Sequence, residues 1–231
     1  MATFSVLVLT APPPGLANEG GGAFVKIDGR EALLRSVELF LNRDNVKQIQ
    51  LAVLPDGIEN AKQKFGAHLG FSGVKLLSGG PRWMDQIAAA AASISGEATH
   101  VLVHDAARPA VAYSDIDAIM TEAEKHSAVA LATPLRTSLV EMDEGGSPAA
   151  YHLPHHFMQL LTPQIFSKEK FSEMAAKKTE IHPSQLTVVN GSALNLRIGG
   201  PGDAGLIKSM IAMLPKPKMK GPASPFDEAQ W

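Results

Sequence analysis

Short, wholly apolar runs alternate along this chain with longer stretches in which apolar residues recur every three or four positions. Ser5–Leu9 (SVLVL) has no polar alternation after its first residue, the pattern of a strand covered on both faces. Glu31–Leu41 follows with Leu33, Val37, Phe40 and Leu41 at helical spacing. The same reading predicts strands at Gln48–Leu54, Val74–Leu77, Thr99–His104 and Ala128–Ala132, and helices at Gly57–Leu69, Asp85–Ile94 and Ser114–His126. The last third predicts a helix at Ser167–Lys178, short strands at Gln185–Val189 and Asn195–Ile198, and a closing helix at Pro201–Leu214 with Pro201 in its first turn. Between Pro134 and Gln164 the rhythm breaks. Gly145, Gly146, Pro148 and Pro154 sit among scattered apolar residues, which predicts a hairpin arm over about residues 134–158. Regular alternation of strand and helix predicts an α/β fold with a mostly parallel sheet and helices on both faces. It forms one domain over residues 1–214, and the Pro- and Lys-rich remainder, 215–231, reads as a mobile tail.

Composition narrows the function classes. The 231 residues carry a formal net charge of −2, so no electrostatic pull towards nucleic acid or anionic membrane is expected. No apolar run approaches the roughly 20 residues of a membrane-spanning helix, and SVLVL is too short for a signal-peptide core. The absence of cysteine excludes a disulfide framework and thiolate chemistry, and suits a cytoplasmic protein.

In an open parallel sheet ligands sit beyond the carboxyl ends of the strands, so residues 10–28, 78–86, 104–109, 133–138 and 199–203 are the places for chemistry. Val103–Pro109 (VHDAARP) is the most informative. A carboxylate at a strand end, two small residues and an arginine suit a metal ion beside an anion. Asp105 offers hard oxygen ligands, and Arg108 a bidentate fork for phosphate. Gly79–Ile87 (GGPRWMDQI) puts two glycines before a helix, where a nucleotide approaches backbone closely. The His152, His155, His156 group invites a metal reading, but Pro154 argues against a helix there, and an arm or interface cluster is the simpler expectation.

With Leu160–Phe166 (LLTPQIF) and Asn195–Ile198 (NLRI), these motifs complete an order, from about Ser5 to Leu214, that resembles the 2-C-methyl-D-erythritol 4-phosphate cytidylyltransferase family. The resemblance implies a Rossmann-like nucleotidyltransferase fold, a homodimer joined through a projecting β-arm, and transfer of CMP from CTP to a sugar-alcohol phosphate with Mg²⁺ and release of pyrophosphate. It implies Asp105 as metal ligand and, with Arg197, as catalytic residue. Arg108, Thr162 and Ser138 are implied for the acceptor, and Ala11, Gly15, Gly79, Gly80, Gln86 and Ala106 for the nucleotide.

The opening loop departs from that pattern. The gapless match over Gly29–Phe40 places the family's Pro-Lys-Gln run on Gly21, Gly22 and Ala23, and no Lys or Arg lies between Thr10 and Ala23. Gln86 stands where the family has a serine facing cytosine. One lost charge donor of this kind typically costs about 3 kcal/mol of transition-state stabilisation, so an impaired cytidylyltransferase is expected. The alternatives are a non-catalytic nucleotide-binding, regulatory or interaction protein, and a nucleotidyltransferase for a different nucleotide or acceptor such as ribitol 5-phosphate.

Overall fold

The computed structural model describes residues 1–16 and 21–215. Its elements run β1 (Phe4–Leu9), β2 (Lys26–Ile27), β3 (Arg30–Glu31), α1 (Ala32–Glu38), β4 (Val46–Val53), α2 (Ile58–Phe71), β5 (Val74–Ser78), α3 (Trp83–Ala91) and β6 (His100–Asp105). They continue with α4 (Tyr113–Glu122), β7 (Ala128–Pro134), β8 (Leu139–Met142), β9 (Pro148–His152), β10 (Met158–Ser167), α5 (Lys168–Lys177), β11 (Thr187–Asn190) and α6 (Ala204–Met213). Seven strands form one sheet in the order β11-β7-β10-β6-β1-β4-β5, and β8 pairs with β9 as the separate arm.

The apolar runs are explained by burial on two faces. Phe4, Val6 and Val8 of β1 join the core under α1, α2 and α4, whereas Leu7 and Leu9 join the opposite core with Trp83 and Ile87 of α3 and Phe171 and Met174 of α5. β1 is parallel to both β4 and β6, so its carboxyl end, with that of β6, opens at the centre of the sheet. A third, smaller core of Ile27, Ala32, Ala107, Ala110, Ile198 and Ile207 seats α6 beside that edge.

Two expectations are corrected, and one element is added. The sheet contains β10, which starts where the expected arm ends and overlaps the segment up to Gln164 in which no sheet strand was expected, and it runs antiparallel to β6 and β7. Pro163 hid it, because proline lacks the N–H that a central strand needs. The ladder accommodates it with an irregularity between Leu160 and Gln164. Asn195–Ile198 is not a strand: it crosses the strand ends, with the Ile198 N–H donating to the Ala107 carbonyl at 2.9 Å. The Asp28–Gly29 pair turns β2 into β3, a small hairpin not expected. Apart from Pro215, the tail lies outside the described residues.

Candidate active site

Asp105 ends β6 and is 1% exposed. Its Oδ1 accepts the Ala107 N–H at 2.9 Å, and its Oδ2 accepts from Arg197 Nε at 2.8 Å and lies 3.8 Å from Arg108 Nε. Burial pushes the Asp105 carboxyl above its usual range, with Arg197 foremost among the groups pulling it back. Burial likewise lowers Arg108, whose charge Asp105 supports. Ala106 and Ala107 are small because they are enclosed. The Ala106 N–H donates to the Leu9 carbonyl at 2.8 Å, and its own carbonyl accepts from Ser36 Oγ at 2.9 Å.

Two further segments close around this loop. Arg108 Nη1 donates to the Asn195 carbonyl at 2.7 Å, and Asn195 Nδ2 donates to the Thr162 carbonyl at 2.7 Å. The Thr162 hydroxyl accepts the Asp105 N–H at 3.1 Å and lies 3.1 Å from His104 Nδ1. Among the described residues the buried Arg108 Nε and Asn195 Oδ1 have no hydrogen-bond partner, so this network keeps unused polar capacity. Asp105, Ala106, Arg108, Thr162 and Arg197 therefore stand in one buried cluster. His104 and Asn195 belong to it too and were missed. A histidine inside an otherwise apolar strand was the available signal for the first.

The second cluster lies at the end of β1. Gln86 is fully buried; its Oε1 accepts the N–H groups of Thr10 and Ala11, each at 3.1 Å, and its Nε2 reaches Thr10 Oγ1 at 3.4 Å. The resemblance puts Gln86 at the nucleotide; in this arrangement its carboxamide oxygen holds the loop after β1. Gly79 and Gly80 press on the first turn of α3: a Cβ on either would come within 2.8 Å, of Gln86 Cγ and of Asp85 Cβ respectively. Their smallness serves helix packing in this arrangement.

Outside Gln86, a cleft of about 270 Å³ is walled by Pro12, Pro13, Pro14, Pro81, Trp83 and Met84, with Arg82 and Lys178 at its rim. Both cations are tied to Asp85, at 2.9 Å and 3.3 Å. The hydrogen bond from Arg82 brings the Asp85 carboxyl down to about 2. Gly15 follows the three prolines in an exposed turn closed by the Leu16 N–H on the Pro13 carbonyl at 3.1 Å. Ser138 lies apart, at the base of the arm, where it accepts from the Tyr151 hydroxyl at 2.5 Å.

Where the family's loop lysine would fall, there is no room for a side chain. A Cβ on Gly22 would lie 2.0 Å from the Ile198 carbonyl oxygen and 3.2 Å from Ala107 Cβ. At Asp105 both carboxylate oxygens already accept hydrogen bonds, from the Ala107 N–H and Arg197 Nε, so a Mg²⁺ there would have to share or displace them. Among the described residues no group of three or more His, Asp or Glu converges on a metal position. His152 instead meets Glu141 at 2.8 Å on the arm. No described helix is long and apolar enough to cross a membrane.

Residues 14–212 match the family profile of IspD, 2-C-methyl-D-erythritol 4-phosphate cytidylyltransferase. A protein of that name from Rhodopirellula baltica is 28% identical over 212 residues, covering 81% of this chain and 86% of its own. Among solved structures, 4-diphosphocytidyl-2C-methyl-D-erythritol synthase from Anaerococcus prevotii superposes with a TM-score of 0.73 at 17% identity, over 91% of this chain and 96% of its own. The 2-C-methyl-D-erythritol 4-phosphate cytidylyltransferase of Thermus thermophilus gives 0.71 at 24% identity, over 92% and 100%. At these identities the structural likenesses speak for the fold.

Proposed function

Because the chain belongs to the 2-C-methyl-D-erythritol 4-phosphate cytidylyltransferase family, we propose that it transfers CMP from CTP to 2-C-methyl-D-erythritol 4-phosphate and releases pyrophosphate. One observation carries this reading. The three segments that bear the family resemblance, VHDAARP, LLTPQIF and NLRI, converge on Asp105 from β6, β10 and the crossing segment at 195–198. In the reaction an acceptor phosphate oxygen attacks the α-phosphorus while pyrophosphate departs, so the protein's task is to position anions and stabilise charge.

Arg197 is assigned to the nucleotide phosphates and Arg108 to the acceptor side, with Asp105 holding both guanidinium groups in place. The cleft walled by Pro12–Pro14 and the α3 start is assigned to the nucleoside, and Ala11, Gly15, Gly79 and Gly80, which neighbour its walls in sequence, are assigned to the nucleotide by the family resemblance. Mg²⁺ enters this proposal only as a companion of the nucleotide, since the chain's own donors do not build its site. The arm is assigned to a homodimer, and Ser138 at its base is assigned to the acceptor by the family resemblance alone. Without cations in the opening loop, turnover below an ordinary family rate is expected.

The test is pyrophosphate release from purified protein with CTP, Mg²⁺ and methylerythritol phosphate, with ribitol 5-phosphate as a parallel acceptor. Turnover abolished by Asp105→Ala is the expected result. A second reading, a non-catalytic relative, is favoured by the contact between Gly22 and Ile198, which excludes the loop lysine. Absence of pyrophosphate with both acceptors, together with retained CTP binding in calorimetry, would select it.

A further inference from the structure

We propose that His104 is a positioning residue: its imidazole, as the Nε2–H tautomer, closes a hydrogen-bonded ring that fixes the backbone from Asp105 to Arg108 against β10. The direction of every bond in this ring is set by its two ends. The Arg108 carbonyl can only accept, and His104 Nε2 lies 3.1 Å from it, so Nε2 carries the hydrogen. The neutral ring then presents Nδ1 as an acceptor, 3.1 Å from the Thr162 hydroxyl, which must donate. That hydroxyl oxygen in turn accepts the Asp105 N–H at 3.1 Å. The path leaves the tetrapeptide at its first N–H, passes through side chains of β10 and β6, and returns at its last carbonyl.

All members are buried, and the imidazole packs edge-on against Phe40 with ring centroids 5.2 Å apart, so the ring plane is fixed by shape as well as by hydrogen bonds. Inside the loop the Arg108 N–H meets the Asp105 carbonyl at 3.0 Å and the Ala107 N–H meets Asp105 Oδ1 at 2.9 Å. With both ends pinned, the Asp105 carboxylate has one orientation in which to meet Arg197.

A consequence follows for Thr162. Its only proton is committed to His104, so the hydroxyl has none to donate to an anion, and a phosphate at this edge is met by guanidinium groups instead. The ring's geometry stands by itself; only its service to catalysis rests on the proposed cytidylyl transfer.

The experiment is NMR on uniformly ¹⁵N-labelled full-length protein. Long-range ¹H–¹⁵N spectra are expected to show His104 with Nε2 protonated and Nδ1 bare; the reverse tautomer overturns the proposal. Hydrogen exchange of the Asp105 amide is expected to accelerate at least tenfold in Thr162→Val and to return within threefold of the parent in Thr162→Ser. His104→Phe, which keeps a ring against Phe40, is expected to accelerate the same amide, and the double variant by less than the product of the two. Exchange unchanged in Thr162→Val overturns the proposal even if His104→Phe does not fold. Neither readout needs turnover, so failure of the cytidylyl-transfer reading is seen separately, as absent pyrophosphate. Where turnover is present, Thr162→Val is expected to lower kcat about tenfold with KM for CTP within twofold. A change in KM alone would overturn the positioning role.

Discussion

Adding one carbon to Gly22 would set it 2.0 Å from the Ile198 carbonyl oxygen, which belongs to backbone that is itself hydrogen-bonded to Ala107. Neither partner can yield without disturbing the Asp105 loop. Gly22→Ala is therefore expected to destabilise the fold by about 1–3 kcal/mol, the usual range for overpacking, measurable by urea unfolding. Gly22→Lys, which restores the family's residue in that register, is expected to lower rather than raise pyrophosphate release. His104 makes a second prediction at this scale. Burial lowers its pKa to about 3, so between that value and the unfolded value of roughly 6.5 the unfolded chain binds the extra proton. Stability therefore rises with pH through this window and is lost as pH falls. Asp105, raised by burial, acts with the opposite sign as pH climbs above the ordinary carboxylate range. The expected outcome is a lower urea midpoint at pH 4.5 than at pH 7, with the drop steeper in Asp105→Asn, which removes the opposing contribution.

Elements were legible in the sequence wherever both faces of a strand are covered. β1, β6 and β7 announce themselves because Val, Leu and Ala fill positions on two opposed cores. β10 did not, because Pro163 interrupts it. The crossing segment at 195–198 carries strand-like residues, yet its hydrogen bonds go to a loop and to side chains. No local pattern encodes that. The site shows the same division. Asp105, Arg108 and Arg197 stand out as charges at strand ends, whereas the closure of Gln86 onto Thr10 and Ala11 depends on how near α3 comes to β1. That closure is testable. Gln86→Ala leaves the Ala11 N–H without its acceptor, while the Thr10 N–H keeps the Ala52 carbonyl at 3.2 Å, and is expected to cost about 1–3 kcal/mol. Gln86→Glu, which keeps the accepting oxygens, is expected to recover part of the loss in the same urea titration.

At the scale of the whole molecule, the arm is the part whose surface does not suit an isolated chain. Val140 stands opposite Tyr151 across the β8–β9 ladder, and Met142, Leu153 and Phe157 in and after the arm are exposed as well. Tyr151 is 64% exposed and Leu153 50%, although the described chain has ample core elsewhere. Exposed apolar side chains concentrated on one element suit an association surface, and the arm is also the element that the family resemblance assigns to a homodimer. β8 and β9 make their ladder with each other and not with the seven-stranded sheet, so the arm can be altered without dismantling the core. The double substitution Tyr151→Asp with Leu153→Asp places two charges on the arm while leaving all three cores untouched. Sedimentation velocity is expected to show a dimer for the parent chain and a monomer for the variant, with unchanged far-UV circular dichroism. If the acceptor site is completed across the dimer, the same variant loses pyrophosphate release while retaining CTP binding. A parent chain that sediments as a monomer at tens of micromolar would remove the arm from both roles.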